Sequence, residues 1–437
     1  MRTERNEAIP KRKEHKKLLI LGRGKQYNPL MRILYLSQYF PPEIGATQIR
    51  AYEMAKNLVA MGHRVTMMTE VPNHPSGLIH SEYRARVRVV EQTHGIEVVR
   101  SWVYATPYKT FRTRMLFYLS YVVTTIVNSL FLSKGTYDVV YATSPPLFVG
   151  LAGLVIAKMR RVPFVFEVRD LWPESAVELG ELQNPHYISW AHAMADYCYR
   201  QARGIVCVTQ GIYTTLVSRG PSKQKLFIVK NGTNPERYRY VFERDLEEKL
   251  GWRGKFVVLY AGVHGVGQGL EAVLGAASAL RRVEPIRFVF IGEGPRKREL
   301  MAHASRRHLS NVEFLPEVSA GEIAKYISLS SLCLVPLKKN ELFKGALPSK
   351  MFDSWACGKP ILLGVDGEAR KELESARGGM FIEPENVSAM ARAIMEMYQK
   401  PEQARQMGEN GRRYILEQGY DRAKQARKLA QILQNLL

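Results

Sequence analysis

The chain has 437 residues, 46% apolar and 24% charged, which are ordinary values for a globular protein of two or three domains. That composition excludes wholesale disorder, collagen-like repetition and a multispan membrane protein. With 63 Lys and Arg against 41 Asp and Glu, the formal charge is +22, a surface that draws anions: nucleic acid, acidic lipid or a phosphorylated substrate.

Residues 1–30 hold nine Lys/Arg against three Glu and lack an apolar core followed by a cleavage site. They read as a basic, poorly ordered extension and not as a signal peptide. Folding is expected to begin with a buried strand at 31–37, followed by a loop with Pro41-Pro42, a helix over 47–61 and a strand at 64–69. Such strand–helix–strand units require a parallel sheet covered by helices. The pattern recurs with strands at 137–142 and 163–168 around a helix over 147–158, then with strands at 204–208 and 225–229. Between the first two units, 115–133 holds nineteen residues without a charge, nearly the ~20 that span a ~30 Å hydrocarbon core. Ser120, Thr124 and Asn128 stand four apart, with Thr125 and Ser129 beside them, and Lys109, Arg112 and Arg114 precede the stretch. The polar stripe favours an amphipathic helix packed on the first sheet over contact with a membrane surface, and both over a true span.

A second series follows the polar stretch 233–249. Strands are expected at 256–261, 286–291, 312–315, 332–336 and 360–363, with a glycine-rich loop and a helix over 270–280 after the first of them. The tail from Ser388 is helical almost throughout, punctuated at Pro401, Gly411 and Gly419. The α/β pattern therefore predicts two Rossmann-like domains, 31–240 and 241–415, facing across a cleft. Residues 416–437 would form a closing helix that returns toward the first domain.

Ligands of doubly wound sheets bind at the carboxyl ends of the strands, so the loops there carry the chemistry. Gly45, in Pro41-Pro42-Glu43-Ile44-Gly45, precedes a helix and can open first-turn amides to an anion, with a plain Pro-Pro turn as the equal alternative. The run Ala261-Gly262-Val263-His264-Gly265-Val266-Gly267-Gln268-Gly269 suits phosphate cradling by backbone amides. It is neither GxGxxG nor a Walker loop, and singles out neither a dinucleotide nor an ATP site. Glu293 and Gly294, in Ile291-Gly292-Glu293-Gly294-Pro295, end the next strand, where an acid can hold a sugar hydroxyl or simply close a turn.

The most informative stretch is Leu347-Pro348-Ser349-Lys350-Met351-Phe352-Asp353. Pro348 suits a helix opening, Ser349 and Lys350 direct amides and an ammonium at one point, and Asp353 shares that face one turn on. This pairs a cation and an acid for a phosphate and a ribose, or forms an i,i+3 surface ion pair. Phe166-Glu167-Val168-Arg169-Asp170-Leu171-Trp172-Pro173-Glu174 sets Arg169 and Asp170 around a strand end, as sugar-pocket walls or as a salt-bridge cluster. No Gly-x-Ser-x-Gly elbow, HExxH or Asp-x-Asp pair occurs. Cys198, Cys207, Cys333 and Cys357 show no metal spacing, and a reducing, cytosolic compartment fits them best.

Together the two-domain plan, the Pro-Pro-x-x-Gly loop, Asn231-Gly232, Gly-Glu-Gly-Pro and Asp353…Ala356-Cys357-Gly358-Lys359-Pro360-Ile361 resemble the family 4 retaining glycosyltransferases of GT-B fold, over residues 31–420. Phe-Glu-Val-Arg-Asp-Leu-Trp-Pro-Glu and Leu-Pro-Ser-Lys-Met-Phe-Asp are similar to the branch that builds bacterial surface polysaccharides, including enzymes adding N-acetyl-L-fucosamine or related amino sugars. The resemblance implies a nucleotide-sugar donor, a UDP-sugar, held in the cleft mainly by the second domain, with no metal or other cofactor. It implies a polyprenyl-diphosphate-linked glycan as acceptor at the inner face of the cytoplasmic membrane, an anionic surface to which the basic charge and the amphipathic helix would be drawn.

Under that resemblance Asp353 matches the acid that holds the ribose. The family's first acid falls on Gly345, its cleft histidine on Arg169 and its loop lysine roughly on Gln268. The diphosphate contact then passes to Lys350 with Ser349. An ammonium ~4 Å from a phosphate gains about 4 kcal/mol at an effective dielectric near 20, against about 0.3–1 kcal/mol for a helix N-terminus. Arg169 and Asp170 are expected where donor meets acceptor, with Lys350 as the third catalytic group. Gly45, His264, Gly265, Gln268, Glu293, Gly294, Leu347 and Pro348 complete the expected donor site. The rival classes are a nicotinamide oxidoreductase, which lacks its GxGxxG fingerprint here, and a nucleic-acid-binding protein, for which no recognised module appears.

Overall fold

A computed structural model describes residues 30–437 apart from 44, 75, 109, 132–134 and 320. The expected basic extension lies, but for Leu30, outside the described residues. Strands Arg32–Leu36 (β1), Arg64–Glu70 (β2), Arg88–Thr93 (β3), Ile96–Ser101 (β4), Val139–Ser144 (β5), Phe164–Val168 (β6), Gly204–Cys207 (β7) and Leu226–Ile228 (β8) form one sheet in the order β3-β4-β2-β1-β5-β6-β7-β8. Its central strands are buried on both faces, which is why they read as continuous apolar runs. The β3–β4 pair is antiparallel and was not foreseen. As an edge strand, β3 alternates exposed and half-buried residues and offers no apolar run.

Strands Phe256–Ala261 (β9), Ile286–Ile291 (β10), Val312–Leu315 (β11), Leu332–Pro336 (β12), Ile361–Gly364 (β13) and Gly379–Phe381 (β14) form a second, parallel sheet in the order β11-β10-β9-β12-β13-β14. The expected pair of Rossmann-like units is therefore present. Strand order reverses between β1 and β5 in one sheet and between β9 and β12 in the other, and ligand crevices open at such switch points.

Several polar clasps join the halves. The Glu368 carboxylate accepts from the Gln210 and Gly211 amides at 2.9 and 2.8 Å, satisfying orphan donors at the start of the helix Gln210–Ser218. Lys230 Nζ reaches Glu372 at 3.0 Å and the Tyr420 hydroxyl at 2.7 Å. The segment after β8 crosses the chain at Tyr420–Arg422, with backbone bonds from Thr233 to Tyr420 and from Arg422 to Thr233, both 2.9 Å. At Gly232 a Cβ would lie 2.1 Å from the Tyr420 carbonyl oxygen, so the crossing requires glycine there. The helix Arg422–Leu436 then buries Ala426, Leu429 and Leu433 in one cluster with Ala51 and Met54 of the first unit.

The long uncharged stretch is a helix, Phe111–Phe131, lying on the first sheet. Its polar stripe faces inward: Thr124 Oγ1 donates to the Trp102 carbonyl at 2.7 Å, Ser120 Oγ accepts from the Tyr104 amide at 2.8 Å, and Asn128 donates to Ser101 Oγ at 2.9 Å.

Candidate active site

A cavity of about 300 Å³ lies where the two switch points meet. Gly45, Ala46 and Ile49, following β1, form one wall. Ala261, which ends β9, and Gly262, Val263 and Gln268 after it meet Ser349, Lys350 and Asp353 on the other. The helix Ser349–Ala356 sorts its side chains by period: Met351, Phe352, Trp355 and Ala356 enter the core, which leaves Ser349, Lys350 and Asp353 on the cavity side.

Lys350 is the principal cation there. Its Nζ donates to Gln268 Oε1 at 3.3 Å and lies 5.0 Å from the centroid of the Tyr260 ring. Burial pushes its pKa down to about 8, with Asp353 opposing. Gly262 makes room for it: φ is +144°, and a Cβ would stand 2.5 Å from Lys350 Cε. Asp353 Oδ1 accepts from Thr233 Oγ1 at 2.7 Å. Burial raises the Asp353 carboxyl above its ordinary range, with the Arg422 guanidinium and the Thr233 hydroxyl opposing. The remaining surface is apolar, including Leu259, Ile291, Val318, Ile323 and Ile327, with Glu317 beside it.

The cavity thus gathers Gly45, Gln268, Ser349, Lys350 and Asp353, and other expected residues lie elsewhere. His264 is wholly buried, its ring packed among Tyr260, Phe290 and Phe314 with centroids 5.7–6.2 Å away. Both its ring nitrogens lack a partner, and burial pushes its pKa down to about 4. Gly265 and Gly294 do not line the cavity, and Gly294 lies against the His264 backbone. The Glu293 carboxylate is taken by Lys297 at 2.6 Å. Leu347 is buried in the core beneath the helix, and Pro348 precedes the first helical turn in an extended conformation. Gly345, where the resemblance places an acid, lies against Gly211 of the other unit.

Arg169 and Asp170 follow β6 and do not line the cavity. Arg169 Nη2 donates to Thr47 Oγ1 at 3.3 Å, which sets the guanidinium beside the Gly45 wall, while Nε and Nη1 are buried without partners. Burial raises the Asp170 carboxyl, with Ser175 opposing. The residues around Asp353, namely Thr233, Tyr238 and Arg422, were missed. They arrive from the crossing segments, and the Asn231-Gly232 pair was the available signal.

This arrangement offers a cation and a helix N-terminus for a diphosphate, an acid for a ribose, an apolar slot for a base and a second buried cation across the cleft. Comparison with known proteins gives the family of the chain. Residues 45–232 match the glycosyl transferase 4-like domain and residues 242–414 match glycosyl transferases group 1. The chain is 24% identical over 378 residues, 84% of its length and 92% of the relative's, to a putative colanic acid biosynthesis glycosyl transferase, WcaI, of Escherichia coli. It is 26% identical to the D-rhamnosyltransferase WbpZ of Pseudomonas aeruginosa over 47% of its own length and 52% of that protein's. Among solved structures it is similar to sucrose-phosphate synthase of Thermosynechococcus elongatus, with TM-score 0.74, 17% identity and coverage of 93% and 99% of the two chains. Anabaena HepE in complex with UDP and glucose matches with TM-score 0.70 and 17% identity, covering 92% and 99%.

Proposed function

Because this chain is a glycosyltransferase of GT-B architecture, a 4-like domain joined to a group 1 domain, we propose that it moves a sugar from a UDP-sugar to a lipid-linked glycan during synthesis of a cell-surface polysaccharide. The observation that carries this reading is the convergence of Ser349, Lys350 and Asp353 on the cavity at the meeting of the switch points. The first unit, 31–240, would receive the acceptor, and the second, 241–415, the donor. The base would fill the slot of Leu259, Ile291 and Val318, Asp353 would hold the ribose, and Lys350, with the Ser349 amide, would hold the diphosphate. The UDP complexes of HepE and the polysaccharide role in the name of WcaI support the choice of donor and product. An N-acetylated amino sugar is the donor group to test first.

In the retaining reaction the bond from the anomeric carbon to the diphosphate oxygen breaks, and the acceptor oxygen bonds to that carbon on the same face. The acceptor proton passes to the departing phosphate oxygen. Lys350 stabilises the charge that develops on the diphosphate, and Arg169, with two donors unspent, faces the junction with Asp170 beside it. A panel of UDP-, GDP- and dTDP-sugars, scored by nucleoside diphosphate release, tests the reading. Release from one or a few UDP-sugars is expected, and release from none of the panel would contradict it.

A further inference from the structure

A second cavity, of about 200 Å³, opens at the carboxyl ends of β1, β2 and β4 in the first sheet. It takes Tyr39 from the loop after β1, Asn73 from the loop after β2, Tyr104 and Tyr108 from the segment after β4, and Phe117 and Tyr118 from the helix Phe111–Phe131. The loop after β1 borders both cavities, with Tyr39 in this one and Gly45 in the one that Lys350 lines. Its walls are tied to one another. Glu43 Oε1 accepts from the Asn73 and His74 amides at 2.8 and 2.7 Å, which joins the first loop to the second. Asn73 Nδ2 donates to Glu70 Oε1 at 2.7 Å, and the Tyr39 and His74 rings meet edge to face at 6.1 Å. Thr113 Oγ1 donates to the Tyr108 carbonyl at 2.6 Å and holds the third wall to the start of the helix.

The chemistry of the lining names the ligand. A pyranose has C–H faces that stack on aromatic rings and a rim of hydroxyls that pair with tyrosine hydroxyls and amides. Tyr104 and Tyr108 are 42% and 77% exposed, so their rings are open to such a ligand. Among the described lining residues the fixed charges are Arg114 and Glu181, and they pair at 2.7 Å. The guanidinium is thereby neutralised, and the Glu181 carboxylate would repel an acidic sugar.

We infer that this pocket holds the terminal sugar of the acceptor, that this sugar is an uncharged pyranose, and that the Arg114–Glu181 pair excludes acidic sugars from it. The inference rests on the proposed reading of the first unit as the acceptor side. Aromatic faces with a few polar groups and no net charge suit a neutral glycan.

Saturation-transfer NMR titration of the full chain in the presence of UDP tests this, with the methyl glycosides of glucose, galactose, mannose, rhamnose, N-acetylglucosamine and glucuronic acid as probes. At least one neutral glycoside should bind, about tenfold or more tighter than the glucuronide. Tyr104→Ala/Tyr108→Ala should weaken that binding about tenfold or more, with unchanged thermal unfolding and unchanged affinity for UDP. Glu181→Gln removes the repelling charge, and should cut the preference for the neutral glycoside over the glucuronide about threefold or more. Binding of none of the neutral glycosides, or equal binding by the wild type and the double tyrosine variant, overturns the inference. So does a glucuronide that the wild type binds as tightly as the neutral glycosides. Tyrosine-dependent glycoside binding without turnover of any sugar nucleotide would defeat the proposed function and leave the neutral-sugar pocket standing.

Discussion

Two buried guanidiniums lie beside the Glu167 carboxylate and differ in how much of their bonding they have spent. Arg50 reaches Glu167 through Nε at 3.2 Å and Nη2 at 2.6 Å, the Val229 and Lys230 carbonyls at 3.0 and 3.1 Å, and Asn231 Oδ1 at 3.2 Å. Burial would lower its pKa, but the Glu167 charge and hydrogen bonds hold it above the ordinary value. Arg169 has the single bond to Thr47, and burial pulls its pKa below the ordinary value, with Glu167 opposing. An orphaned buried donor costs about 1–3 kcal/mol, which an anionic ligand would recover. Arg50 is therefore a structural strap from the first unit to the crossing segment, and Arg169 is a cation kept available at the cleft.

The sharpest way to break that contrast is to remove each in turn. Arg50→Ala leaves Glu167 buried without its ion-pair partner and should cost about 3–5 kcal/mol of stability in urea unfolding. Arg169→Ala should stay within about 1 kcal/mol of wild type while turnover falls about 10²–10³-fold. Comparable unfolding of the two variants would erase the distinction.

A smaller effect separates the two sides of the second unit. Lys350, with its pKa near 8, binds an anion only when protonated. Affinity for a nucleoside diphosphate should be highest near neutral pH and fall up to about tenfold per unit above pH 8. Titration calorimetry across that range should show the fall in the wild type and lose it in Lys350→Met. The sign for stability is opposite. The folded state releases this proton before the unfolded state does, so the contribution of this group to stability rises between pH 8 and about 10.4. The smallest effect belongs to His264. His264→Phe removes an unpaired polar ring from an aromatic cluster, and should hold or raise the melting temperature with less than about a twofold change in turnover.

What the sequence disclosed follows from burial. Strands covered on both faces, such as β1, β5 and β9, show as apolar runs, whereas the edge strand β3 and the three-residue β14 do not. The helix Ser349–Ala356 was legible because its cavity face and core face alternate with helical period. His264 was not, since nothing in its own loop reveals that Phe290 and Phe314 from other strands enclose its ring. Nor was the Thr233–Asp353 bond, which joins residues 120 apart. The Glu368 clasp on the Gln210 and Gly211 amides depends on how the halves dock and is equally invisible in the chain order.

In the proposed function Lys350 grips the diphosphate of the donor in the cleft. Calorimetric titration of UDP into the wild type and Lys350→Met at neutral pH tests it most directly. At least about a hundredfold weaker binding by the variant is expected, near 2.7 kcal/mol, with the fold unchanged by thermal unfolding. Equal affinity for UDP in the two proteins would contradict it.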